Sequence, residues 1–133
     1  MIAIDTNVLV RHLVNDDPEQ AALARSLLGS ASRDQPAFVC REVLVETVWV
    51  LESRYRFARS RVAEALSALL TASGLIIETA DDVAEVANAY RSSNVDFSDL
   101  MILAAARRND AQPLFTFDQQ LAALDDAALP DHR

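Results

Sequence analysis

Apolar residues follow two rhythms along this chain. Short unbroken runs alternate with longer stretches in which they recur every three or four positions. The first run, Met1, Ile2, Ala3 and Ile4, predicts a buried strand over residues 2–5. Val8, Leu9, Val10 and Leu13 follow at helical spacing and predict a short helix over residues 6–13. Asp17, Pro18 and Gln20 then form a helix start: a carboxylate to cap free amides, a proline at the first position and an amide at the third. That second helix carries Ala21, Leu23, Ala24, Leu27 and Leu28 and stops at Gly29. Ala37, Phe38 and Val39 predict a second strand.

Residues 41–56 read as a third helix. Val43, Leu44, Val45, Val48, Trp49, Val50 and Leu51 nearly encircle it, so it is expected to be largely buried, with Trp49 in the core. A fourth helix over 60–71 carries Val62, Leu66, Leu69 and Leu70, and Ser73 with Gly74 ends it. Leu75, Ile76 and Ile77 predict a third strand, and residues 81–92 an amphipathic fifth helix. Residues 94–99 open a sixth helix over 100–108, with Ile102, Leu103, Ala106 and Asp99 on one face. Pro113, Leu114, Phe115 and Thr116 predict a fourth strand, and residues 119–124 a short helix. Residues 125–133 are polar and predict a loose tail; Ala127, Ala128, Leu129 and Pro130 make a poor strand. Strands alternating with helices predict an α/β fold with a parallel sheet. At 133 residues the chain is expected to be a single domain, without repeats or low-complexity segments.

Charge narrows the chemistry. The net charge is −8, which argues against a broad nucleic-acid-binding surface but leaves room for a local one. All twelve basic residues are arginines. With no lysine, a Walker-type phosphate loop and Schiff-base catalysis are both excluded. Cys40 is the one cysteine, so no disulfide within the chain is possible, which suits a reducing cytoplasm. No signal peptide is expected, and no apolar run approaches the roughly 18 residues that span a bilayer, so no membrane association is expected.

Four carboxylates occupy unusual positions. Asp5 and Asp118 each follow a strand, Glu46 lies inside the apolar third helix, and Asp99 is in the first turn of the sixth. Each also has a plain structural role open to it. Asp5 and Asp118 suit helix caps or first turns, Asp99 complements a helix dipole, and Glu46 would need an arginine partner if buried. Convergence at the carboxyl edge of one sheet is the other reading. Several carboxylates a few ångströms apart cannot all ionise without a cation. Oxygen ligands without Cys or His favour Mg²⁺ or Mn²⁺ over Zn²⁺. The two histidines, His12 and His132, form neither a zinc spacing nor a nucleophile dyad. The chemistry left open is metal-assisted phosphodiester hydrolysis.

Four segments resemble a known family. Ile4-Asp5-Thr6-Asn7-Val8-Leu9-Val10, Glu46 within residues 43–51, Asp96-Phe97-Ser98-Asp99-Leu100-Met101-Ile102, and Thr116-Phe117-Asp118 look like the PIN domain, and more narrowly like the VapC toxins of VapBC toxin–antitoxin pairs. The resemblance runs through about Leu121 in the family's order. It implies a three-layer α/β/α sandwich with a mostly parallel sheet of four or five strands. It also implies a Mg²⁺- or Mn²⁺-dependent endoribonuclease of the cytoplasm, acting as a toxin. Asp5 and Asp99 would be the principal metal ligands, with Glu46 and Asp118 completing the site directly or through water. Asn7 and Thr116 would orient carboxylates or water, and Asp96 would assist or cap. Such toxins form homodimers and are inhibited by a VapB antitoxin. The arginines Arg54, Arg56, Arg59 and Arg61, interleaved by Tyr55 and Phe57, are the candidates for holding RNA phosphates; a solvated hairpin is the plainer reading.

Receiver domains and haloacid-dehalogenase phosphatases also begin with a strand that ends in Asp, but both use a site lysine, and the phosphatase pattern wants a second Asp where this chain has Asn7. A non-catalytic PIN-like module whose acidic patch meets a basic protein partner is the alternative from a different class.

Overall fold

The structure is a computed structural model that describes residues 1–131; His132 lies outside the described residues. The backbone divides into two compact units, Met1–Ala80 and a second beginning at Asp81.

The first unit holds β1 (Ile2–Ala3), α1 (Thr6–Leu13), α2 (Pro18–Gly29), β2 (Ala37–Val39), α3 (Arg41–Ser53), α4 (Arg59–Thr71) and β3 (Leu75–Ile77). Its three strands are parallel in the order β1-β2-β3, with Ala3 opposite Phe38 and Phe38 opposite Ile76. The ladder continues past β1, because the Ile4 amide donates to the Phe38 carbonyl at 2.9 Å. The expected second helix start is present: Asp17 accepts from the Gln20 amide at 3.1 Å and Pro18 is the first helical residue. Helix α1 packs on α2 and α3, and α4 packs on α3 and β3. Gly74, in the α4–β3 turn, allows a close backbone approach: a Cβ there would meet the Ala31 carbonyl oxygen at 2.5 Å.

Helix α3 differs from expectation. Its buried face is Leu44, Thr47, Val48 and Leu51, while Trp49 is 65% exposed and Glu46 is exposed. The apolar residues encircle the helix in sequence, yet only one stripe is covered, so Trp49 is not a core residue. The helix also ends at Ser53 rather than Arg56, because Arg56 turns into the left-handed region at φ 56°. Its start is capped from a distance. Cys40 supplies no side-chain cap, and Glu78 Oε1 accepts from the Arg41 amide at 2.8 Å instead. The Arg41 guanidinium donates to Thr79. Strand β1 is more open than predicted: Ile2 is exposed and Ile4 is the buried residue of the run.

The second unit contains most of α5 (Ala80–Ser92), then α6 (Phe97–Arg108), β4 (Leu114–Phe115), α7 (Gln119–Ala122) and β5 (Ala127–Ala128). Arg108 grips the nearly buried Asp82 with two hydrogen bonds of 2.7 and 3.1 Å, fastening the end of α6 to the start of α5. Tyr90 and Phe97 meet edge to face at 5.8 Å between ring centres. Helix α6 starts three positions before the predicted residue 100, and its buried residues are Phe97, Leu100, Met101, Leu103 and Ala104; Ile102 is exposed.

The expected loose tail contains a strand. β5 runs parallel to β4, with Leu114 opposite Ala127, and the Thr116 amide donates to the Ala128 carbonyl at 3.0 Å. Arg107 holds the approach through Asp126 at 3.0 Å and the Asp125 carbonyl at 2.9 Å. Among the described residues five strands are present, and each pairing is parallel: three strands form one ladder and two another, in keeping with the α/β fold and parallel sheet expected. Among the described residues no helix is long and apolar enough to cross a membrane.

Candidate active site

Asp5 follows the β1 ladder because Ile4, its neighbour, is the buried end of the strand run. It is the N-cap of α1, and its Oδ1 accepts from the Thr6 amide at 2.7 Å. The capping role anticipated for it is therefore real, but it occupies one carboxylate oxygen. Thr6 is buried, and its Oγ1 has no hydrogen-bond partner among the described residues. Asp5, Thr6 and Asn7 line a cavity of about 180 Å³ with Glu46, Arg54, Tyr55 and Arg11. Two of the predicted carboxylates, one predicted auxiliary residue and one predicted RNA-binding arginine thus share a single cavity in the first unit.

Glu46 reaches that cavity from the exposed side of α3. The desolvation that would have forced it to find a partner is absent, and no hydrogen bond or ion pair engages it among the described residues. Its neighbour Tyr55 is fixed by two contacts. The Tyr55 hydroxyl donates to Asp16 Oδ2 at 2.6 Å and accepts from Arg11 Nη1 at 3.2 Å. Tyr55 first, and the Arg11 charge after it, hold the Asp16 carboxyl below the usual carboxylate range.

In the second unit Asp99 is the third residue of α6 and is half-buried. Burial, then the charges of Asp96 and Asp118, push its carboxyl above the usual range. Asp96 stands at the N-cap position of α6 without making a side-chain cap. Asp118 is the N-cap of α7, its Oδ1 accepting from the Leu121 amide at 2.9 Å. Thr116 Oγ1 accepts from the Asp118 backbone amide at 3.0 Å.

The donor chemistry suits a hard divalent ion. The candidates are oxygen ligands, Asp5 and Asp118 each spend one carboxylate oxygen on an amide, and Asp99 stands among like charges. Among the described residues, however, no three His, Cys, Asp or Glu side chains are gathered as a ready-made metal cage. Of the remaining predicted arginines, Arg61 stacks on the Phe57 ring at 3.7 Å, Arg59 is otherwise engaged, and Arg56 is exposed. His12 is exposed. The residues missed from sequence are Thr6, Arg11 and Asp16. An arginine in the last turn of an apolar helix with an aspartate five positions on was the available signal for the latter two.

A family model described as the PIN domain matches residues 2–127 and so runs through both units. Comparison with curated proteins finds no match. Among solved structures, the chain is similar to the Mycobacterium tuberculosis toxin VapC20, described as a sarcin–ricin loop cleaving toxin. The two share 21% identity over 92% of this chain and 94% of that one, with a TM-score of 0.46.

Proposed function

This chain belongs to the PIN domain family, and from that premise we propose that it is an endoribonuclease dependent on Mg²⁺ or Mn²⁺, the toxin of a type II toxin–antitoxin pair of the VapBC kind. Nucleases of the PIN family generally use divalent metal ions. The observation that carries the metal reading is Asp99 in the first turn of α6, whose carboxyl is raised above the usual range by burial first and then by the charges of Asp96 and Asp118. A cation removes that conflict.

In this reading Asp5 and Asp99 are the principal metal ligands of their units, and Glu46 and Asp118 support them directly or through water. When bound, the ion supplies positive charge to the phosphoryl oxygens and makes water more acidic. The chain does the rest. Thr116 and the α7 cap fix the direction of Asp118. Asn7 offers a neutral amide beside Asp5 for orienting water. Glu46, with both oxygens unengaged, is the group suited to take a proton from the attacking water. Water adds to phosphorus as Glu46 takes its proton, the bond from phosphorus to the leaving sugar oxygen breaks, and that oxygen takes up a proton from solvent. The partners of this reading are an RNA substrate, a VapB-type antitoxin and a second copy of the chain, in the cytoplasm.

Calorimetric titration of the antitoxin-free protein with Mn²⁺ tests the metal. Binding is expected in the wild type, and weakening by about tenfold or more in Asp5→Asn and in Asp99→Asn. A wild type that takes up no Mn²⁺ would support the second reading, a non-catalytic module whose carboxylates meet a basic protein. The absence of a ready-made cage among the described residues is what favours that reading.

A further inference from the structure

We propose that Arg54 seats an RNA phosphate beside Asp5 and Glu46, and that Arg11, Asp16 and Tyr55 form a clasp that holds Arg54 in place. This rests on the ribonuclease reading and adds to it an anion seat and the residues that position it.

The seat follows from what the cavity lacks. An RNA phosphate entering it meets the carboxylates of Asp5 and Glu46 and is repelled by both. Two guanidiniums share the lining, those of Arg11 and Arg54. Arg11 is already committed: Nη1 donates to Asp16 at 3.1 Å and to Tyr55, and Nε donates to Gln20 at 2.7 Å. Arg54 is exposed, and no hydrogen bond or ion pair engages it among the described residues. It is the cation of this cavity with its donors open, and a guanidinium fork matches two phosphate oxygens.

The clasp follows from how the end of α3 is built. Arg54 is the C-cap residue, its amide donating to the Val50 carbonyl at 2.9 Å. Two residues later Arg56 is left-handed, and the Phe57 amide closes on the Leu51 carbonyl at 3.0 Å. A non-glycine residue in that region is held there by its surroundings. Between them stands Tyr55, whose hydroxyl is tied to Asp16 and Arg11. Arg11 lies in the last turn of α1, and its Gln20 contact reaches the first turn of α2. The residue next to Arg54 is therefore anchored to two other helices. A long side chain that would otherwise sweep over the surface starts from a fixed backbone, which lowers the entropic cost of using it.

The test is binding of a labelled single-stranded RNA of mixed sequence to the full chain in EDTA, followed by anisotropy over a range of NaCl concentrations. Without metal, the measurement does not depend on cleavage. Arg54→Ala is expected to weaken binding about tenfold and to lower the salt slope by about 1. Arg25→Ala, which removes an equal charge from the exposed face of α2, is expected to leave binding nearly unchanged. Arg54→Lys, which keeps the charge and loses the fork, is expected to fall between wild type and Arg54→Ala. Tyr55→Phe is expected to weaken binding several-fold in the wild-type background and not at all when Arg54 is already Ala. Equal effects of Arg54→Ala and Arg25→Ala would overturn the seat. Additive effects of Tyr55→Phe and Arg54→Ala would overturn the clasp. A wild type that cuts RNA with Mg²⁺ yet shows no salt-dependent binding in EDTA would overturn the seat and leave the nuclease reading standing. A wild type that neither binds nor cuts overturns both.

Discussion

Asp99 carries the clearest electrostatic signature in the chain. Burial and two like charges raise its carboxyl, so the folded protein takes up a proton more readily there than the unfolded chain does. The stability linked to this group is therefore present below the ordinary value of 3.8 and is lost as the pH rises through the raised folded value. At neutral pH Asp99 is a cost to the metal-free protein. Asp99→Asn is expected to melt above wild type at pH 7 in EDTA, with the difference shrinking as the pH falls below 4. Mn²⁺ should then raise the melting temperature of wild type and not that of the variant. A metal-free variant that melts below wild type at pH 7 would show that the crowding is not felt. Arg56 offers a second residue-scale test. Relief of a left-handed backbone of roughly 1–2 kcal/mol is partly offset by glycine's unfolded-state entropy of about 0.4–1 kcal/mol. Arg56→Gly is thus expected to stabilise the chain by up to about 1 kcal/mol in urea unfolding; a loss of stability would mean that its side chain is doing structural work.

Elements were legible in the sequence where a local chemical device fixes them. Asp17, Pro18 and Gln20 placed the start of α2, and Asp5 and Asp118 behave as the caps their positions allowed. The misreadings came where tertiary context decides. The apolar positions of α3 encircle it, and periodicity alone could not say that Leu44, Thr47, Val48 and Leu51 would be the covered stripe. Trp49 and Glu46 were therefore buried on paper and are exposed in fact. In the same way Ile102 was assigned to the buried face of α6, where Met101 and Ala104 stand instead. β5 was invisible because two alanines carry little strand preference, and its position depends on Arg107 holding Asp125 and Asp126 from another element. Gly74 is the element-scale prediction. Its missing Cβ lets the α4–β3 turn press on the Ala31 carbonyl, so Gly74→Ala is expected to cost about 1–3 kcal/mol in urea unfolding. An unchanged midpoint would mean that the turn relaxes freely.

At the scale of the whole molecule, family membership was legible because four short motifs between Ile4 and Asp118 stand in the family's order, and the PIN domain model matches residues 2–127. Composition alone would have pointed elsewhere, since a net charge of −8 disfavours RNA. The two facts fit if the acidic groups need a cation and the arginines act locally, as the exposed Arg54 beside Asp5 and Glu46 can. Metal-dependent RNA cleavage is the central claim, and one assay addresses it most directly. Purified, antitoxin-free protein is incubated with total RNA in Mn²⁺ or Mg²⁺, in EDTA, and with Asp99→Asn beside wild type. Cutting by wild type that requires the ion and falls by at least about a hundredfold in the variant is the predicted result. Cutting that persists in EDTA, or that Asp99→Asn leaves intact, would contradict it.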